Sequence, residues 1–313
     1  MPAAPHISLW HWAGFVCCIL VMLALDLGVF HRSARVVRFR EAVGWTLLWA
    51  CLAMLFAGYI YRFQNAENAA LFVTGYIVEV SLSMDNVFVI ALIFRYFQVD
   101  TRHQHRVLFW GILGALVMRG ALICGGSLLV AQWKWLLEVL GAFLVFTGVK
   151  MLVTDSDGVH PERNPIIRLA RRFCPITPDY VGQQFVARWD NVLALTPLAI
   201  VLIMVETTDL VFATDSLPAI FGVTQDAFII FTSNVFAILG LRSLYFLLAE
   251  ALDCFSHLKY GLSLVLVFIG IRMIAGNRLH IPTNITLITV AGIILGSILL
   301  SVLLARRGRK PRE

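Results

Sequence analysis

Charge is what this sequence has least of. Asp, Glu, Lys and Arg make up 14% of its 313 residues, against 59% hydrophobic residues and a mean hydropathy of +0.83. A soluble domain of this length carries far more polar surface, so that class is excluded. The six cysteines, Cys17, Cys18, Cys51, Cys124, Cys174 and Cys254, contain no C-x-x-C pair. Scattered in this way they read as space-filling residues rather than as thiolate ligands or a redox couple. H-E-x-x-H, a nucleophile with its base and any cofactor motif are missing too, which argues against an enzyme. No G-x-x-x-x-G-K-[ST] loop is present, so the chain carries no ATP-driven pump of its own.

What is there is a series of long apolar runs. Nine stretches near the length of about 20 residues that a bilayer requires fall at 9–30, 43–61, 71–97, 107–130, 135–153, 197–221, 227–250, 258–275 and 284–305. The expected fold is an all-α polytopic membrane protein. Met1 to His6 has no Lys or Arg and the first apolar run passes into a basic stretch at Arg32, so the first span is expected to be retained rather than cleaved.

Basic residues alternate between the two sides. Arg32 to Arg40, Arg95 to Arg106, the loop from Lys150 to Arg188, Lys259 and the tail from Arg306 to Arg312 share one side, with little but Arg62, Lys134 and Arg278 opposite. The positive-inside rule then places the N-terminus outside and the C-terminus in the cytoplasm. Topology and anionic lipid headgroups account for the net charge of +6, and no nucleic-acid partner is needed.

The chain also repeats itself. "DNVF" at Asp85 to Phe88 answers "DLVF" at Asp209 to Phe212 at an offset of 124, "LVFTGVKML" from Leu144 answers "LVFIGIRMI" from Leu266 at 122, and Arg119 answers Arg242 at 123. Three collinear matches at one spacing indicate duplication of a three-helix unit. An odd number of crossings reverses the second copy, so an inverted three-plus-three repeat is expected, with its site at the repeat interface. The organisation follows: 1–70 with the first two spans, 71–153 as repeat one, 154–196 as a basic cytoplasmic loop, 197–275 as repeat two, and 276–313 as the last span and tail. Glycines such as Gly111, Gly114, Gly141 and Gly148 supply small surfaces for close helix contact.

Inside these spans stand five acids: Glu79 and Asp85 in the third, Glu206, Asp209 and Asp215 in the sixth. One charged carboxylate at a helix centre costs about 2.5 to 3.5 kcal/mol, so five cost on the order of 12 to 17 kcal/mol unless something offsets it. Pairing with Arg119 and Arg242, protonation, or a bound cation are the available offsets, and two arginines cannot neutralise five acids. Nearly every polar atom nearby is oxygen, from Ser81, Ser83, Asn86, Thr207, Thr208, Thr214 and Ser216, with no histidine in either segment. Oxygen-only shells suit Mg²⁺, Ca²⁺ and Mn²⁺. On regular helices Asp85 points about 120° from the Glu79, Ser83 and Asn86 face, and Asp215 about 120° from Asp209. Pro218 suggests a helix break that releases the Thr214 carbonyl beside Asp215.

Other polar points are read both ways. Asp26 is either a gate or a headgroup-level partner of His31 or Arg32. Thr232, Ser233 and Asn234 line the same cavity or join helices. His103 and His105 either sense pH or metal or are solvated loop residues. Ile166, Ile167, Leu169 and Phe173 among arginines suggest a basic amphipathic helix at the membrane surface.

The strings "SMDNVFV", "TDLVFATDSLPAIF" and "FTSNVFAILGLRSLYF" resemble the signature segments of the TerC integral membrane proteins, including their pH-responsive branch, with the likeness running from about Asp26 to Gly276. The resemblance implies a metal-ion exporter, chiefly for Mn²⁺, related to the LysE-type exporters, in the bacterial inner membrane. On that reading Asp85, Asn86, Asp209, Asp215 and the Thr214 carbonyl hold the metal, Glu79, Glu206 and Asp26 carry protons or gate, and Arg119 and Arg242 form structural ion pairs. Mn²⁺ is cargo, protons and the bilayer are partners, and no permanently bound cofactor is expected. A homo-oligomer and an envelope-protein partner both stay open. The alternative functions are an accessory protein that supplies metal to or scaffolds other envelope proteins, or an exporter of another cation.

Overall fold

The computed structural model describes residues 9–25, 39–153, 175–189, 192–249, 258–275 and 282–308. These residues form nine helices: α1 (Leu9–Leu25), α2 (Phe39–Phe63), α3 (Ala66–Tyr96), α4 (Thr101–Gln132), α5 (Trp135–Val153), α6 (Pro197–Val223), α7 (Ala227–Ala249), α8 (Leu258–Ala275) and α9 (Thr283–Gly308). Seven of them are long and apolar enough to cross a membrane. The all-α polytopic expectation holds. Asp26 and the stretch from Ile166 to Phe173 lie outside the described residues.

Helix ends sit where caps sit, not where apolar composition begins. Asn65 accepts from the Asn68 N–H at 2.6 Å, Asp100 from Arg102 at 3.1 Å and Asp226 from Phe228 at 2.9 Å. Thr196 caps α6, with Pro197 at the first helical position where its missing N–H costs nothing. α3 and α4 therefore begin several residues before their apolar spans. One correction concerns Pro218: α6 runs on through it to Val223 without a break. Proline lacks one helical donor, but the turns on both sides are held by buried neighbours from Ala213 to Ile220, and packing carries the helix across the gap.

The sequence pattern predicts only loop over 175–196, and the segment contains a hairpin. β1 (Val186–Trp189) and β2 (Val192–Leu195) pair antiparallel, with Val186 opposite Leu195 and Trp189 opposite Val192. The Tyr180 hydroxyl donates to the Phe97 carbonyl at 2.8 Å, and the Arg106 guanidinium sits 5.2 Å from the Phe185 ring centre. β2 leads straight into α6, so the hairpin ties the start of α6 to the α3–α4 turn. Burial at this turn raises the Tyr180 hydroxyl above its usual pKa.

α7 is enclosed by other helices along nearly its whole length, consistent with a helix apolar all round. α3 lies beside it, and the two are joined at Gly75, where an added Cβ would stand 2.9 Å from the Ser233 hydroxyl. α5 packs on α8 with backbones nearly touching. A Cβ at Gly141 would lie 2.9 Å from the Gly270 carbonyl, and one at Gly148 would lie 2.9 Å from that of Ser263 and 2.8 Å from Val267 Cγ2. A Cβ at Gly270 would meet Val145 Cγ2 at 2.8 Å.

These contacts interchange under the 122-residue offset. Gly141 with Gly270 becomes Ser263 with Gly148, and Gly148 with Val267 becomes Gly270 with Val145. Partner numbers fall along α8 as they rise along α5, so the equivalent helices run antiparallel. A two-fold relation between antiparallel neighbours has its axis perpendicular to both. For membrane-crossing helices that axis lies in the membrane plane, the geometry of an inverted repeat.

Candidate functional site

The charged centre is built around Arg119 of α4, whose side chain is 2% exposed. Its Nη1 pairs with Glu79 Oε1 of α3. Nε and Nη2 grip Asp209 of α6 in a fork, at 3.2 Å to Oδ2 and 2.9 Å to Oδ1. Nη1 also reaches Asn234 Oδ1 of α7 at 2.9 Å and Ser216 Oγ of α6 at 3.3 Å. Two further amide contacts orient the acids. Asn86 Nδ2 donates to Asp209 Oδ1 at 3.2 Å, and Asn234 Nδ2 donates to Glu79 Oε2 at 3.3 Å. A guanidinium and carboxylates so enclosed hold one another firmly, because removing either side leaves a buried charge and costs about 3 to 5 kcal/mol.

The remaining acids stand apart from that lock. Among the described residues, Asp85, Glu206 and Asp215 accept no hydrogen bond from a side chain and form no ion pair. Asp215 Oδ1 is buried without a partner, as are Ser83 Oγ and Asn86 Oδ1. Ser83 is unusual in this respect, since Thr74, Ser81, Thr208 and Thr232 each donate to the carbonyl four residues back in their own helix. Ser83 lies on the α3 face shared by Glu79 and Asn86 and is 1% exposed. Glu206 lies against Gly114 of α4. A Cβ there would come within 2.6 Å of Glu206 Oε2 and nearer still to Oε1, so only glycine leaves room for the carboxylate. A cavity of about 20 Å³ walled by Ile90, Leu108, Gly111, Ile112, Val205 and Leu241 adjoins Asp209.

Sequence and structure agree on some members and part on others. Arg119 is paired with acids as expected. Arg242 is 6% exposed, and its Nη2 lies 3.1 Å from His105 Nδ1, whose ring packs on Phe246. Asp209, Asn86 and Glu79 come together, with Ser216 and Asn234. Thr214 is exposed and its hydroxyl donates to the Val211 carbonyl at 2.6 Å. Among the described residues, no three of Asp, Glu, His and Cys are grouped at metal-binding distance. The reason is helical phase, which turns Asp85 and Asp215 away from Asp209. The hairpin has a signal in the sequence: two short runs of β-formers flank only two residues, Asp190 and Asn191.

Fold and site define a multi-pass integral membrane protein with an oxygen-lined charged core. The chain belongs to the integral membrane protein TerC family, whose model matches residues 64–312. It is 47% identical over 295 residues to the membrane protein STKORF319 of Myxococcus xanthus, covering 94% of this chain and 92% of that one. It is 43% identical over 310 residues to an Escherichia coli K12 protein named "Putative membrane-bound redox modulator Alx", covering 96% and 97%. The Salmonella typhi protein of that name is 45% identical over 292 residues, covering 90% and 91%. No solved structure matches the chain.

Proposed function

We propose that this protein exports a divalent metal ion, most readily Mn²⁺, from the cytoplasm across the bacterial inner membrane by alternating access coupled to proton entry. The observation that carries the reading is the surplus of intramembrane oxygen over cation. Of five intramembrane acids only Glu79 and Asp209 pair with Arg119, and the buried oxygens of Asp215, Ser83 and Asn86 lack any donor. Such atoms are stabilised by a hard cation or by protons, and competition between the two on the same acids couples their movements.

Asp85, Asp215, Asp209 and Asn86 are the metal-handling groups on this reading, with the Thr214 carbonyl, which Pro218 cannot bond, beside Asp215. Glu206 and Glu79 carry protons or gate. The antiparallel exchange at α5 and α8 supports a pair of related halves, as alternating access requires.

The test is intracellular manganese after a Mn²⁺ challenge in exporter-deficient cells. The wild type should lower it, and Asp85→Asn and Asp215→Asn should not, at equal abundance in the membrane. Unchanged manganese with the wild type, or full activity in both variants, would refute the assignment.

A further inference from the structure

Arg119 invites a question that a structural ion pair does not answer. Its guanidinium is surrounded by five oxygens, Glu79 Oε1, both carboxylate oxygens of Asp209, Ser216 Oγ and Asn234 Oδ1, contributed by α3, α6 and α7. No nitrogen or sulfur acceptor takes part. Two carboxylates, an amide oxygen and a hydroxyl form the donor set that a hard divalent ion recruits. Beside it, Asn86 is anchored to Asp209 through Nδ2 while its Oδ1, on a side chain only 4% exposed, has no partner. Ser83 Oγ is a second unpartnered buried oxygen on the same α3 face. Buried oxygen without a partner thus lies on the helix face that also presents Glu79 to the guanidinium.

From this we infer that the Glu79, Asp209, Ser216 and Asn234 oxygens are a divalent-cation site and that Arg119 is its built-in competitor, a tethered cation that fills the shell when cargo is absent and drives cargo out when it returns. The inference rests on the exporter reading, gives Arg119 an active part in it and moves Glu79 from the proton-carrying groups to the ligands. A guanidinium and a divalent ion cannot both occupy the shell, so each turnover moves Arg119 out and back. Release is then assisted by a charge that never leaves the protein. Arg242, at the equivalent place in the second repeat, has its Nη2 3.1 Å from His105 Nδ1.

The experiment measures Mn²⁺ binding and Mn²⁺ transport by the full-length protein in lipid nanodiscs and in proteoliposomes. Arg119→Gln should bind Mn²⁺ at least tenfold more tightly than the wild type, be stabilised more by Mn²⁺ against heat, and transport it poorly. Arg119→Lys, which keeps the charge but cannot fork onto Asp209, should fall between them. Adding Glu79→Gln to Arg119→Gln should abolish the gain in affinity. A wild type that transports, with folded Arg119→Gln binding no tighter, overturns the inference and leaves the exporter reading intact. Failure of both Arg119 variants to fold overturns it too, since the arginine is then a cross-link. A wild type that does not transport, combined with tight Mn²⁺ binding by Arg119→Gln that depends on Glu79, supports the site and sinks the exporter. Absence of both transport and gain sinks both.

Discussion

Gly148→Ala tests the helix contact on which the two-fold relation stands. The added methyl would lie 2.8 Å from Val267 Cγ2, 2.9 Å from the Ser263 carbonyl and 3.2 Å from the Val267 nitrogen. Two of these are backbone atoms that cannot swing aside. α5 and α8 must therefore part by about half an ångström, which loosens Leu144, Val265, Leu266 and Ile269, all buried at this seam. Overpacking of this kind costs about 1 to 3 kcal/mol, while replacing glycine by alanine in a helix returns about 1 kcal/mol. Gly292→Ala, with nothing within 4 Å, collects the second term alone, so the difference between the two variants isolates the contact. The assay is unfolding of the purified protein in mixed micelles with increasing denaturing detergent. Gly148→Ala should unfold first, and Gly270→Ala, its counterpart under the offset, should behave alike. The double variant should cost less than the two singles together, because both open one seam. Equal midpoints for Gly148→Ala and Gly292→Ala would refute the argument.

Other outcomes follow from particular contacts. Gly114→Ala should leave stability within about 0.5 kcal/mol, since the atoms it meets end a side chain that can rotate, yet displace Glu206 and lower manganese tolerance as far as Glu206→Gln does. Thr196→Ala removes the α6 cap and the hydroxyl bond to the Gln184 carbonyl at 2.6 Å, and should lower stability by about 1 kcal/mol in the same assay. Asp100 is held below the ordinary carboxylate pKa, first by the hydrogen bond from the Arg102 backbone. Its contribution is complete above the unfolded value of about 3.9 and is lost as pH falls through the lower folded value. Thermal midpoints of wild type and Asp100→Asn should therefore differ least at the acid end, and a gap that widens there would contradict the sign.

Much of the fold was legible because the bilayer imposes a length and a composition on each span. The helix ends shifted because Asn65 and Asp100 cap ahead of the apolar residues, and hydropathy has no term for caps. The acids were legible as an unpaid cost, and Asn234 as a polar point on an otherwise apolar helix. Which acid Arg119 would choose was not legible. Glu79 and Asp209 lie 40 and 90 residues from it, and only the packing of α3, α4 and α6 decides that both reach it while Asp85 does not. Pro218 misled because a propensity rule weighs one donor and ignores the neighbours that hold the helix on either side.

The reciprocal seam between α5 and α8 has an energetic meaning. On the exporter reading, a seam whose contacts recur when the halves exchange costs nearly the same to rock in either sense. On that reading, whatever tips the balance between an opening to one side and an opening to the other comes largely from parts that are not duplicated. Those parts are α1, α2, α9 and the segment before α6 that Tyr180 fastens to Phe97. The seam would then be a pivot with little preferred direction, and the bias would be written around it.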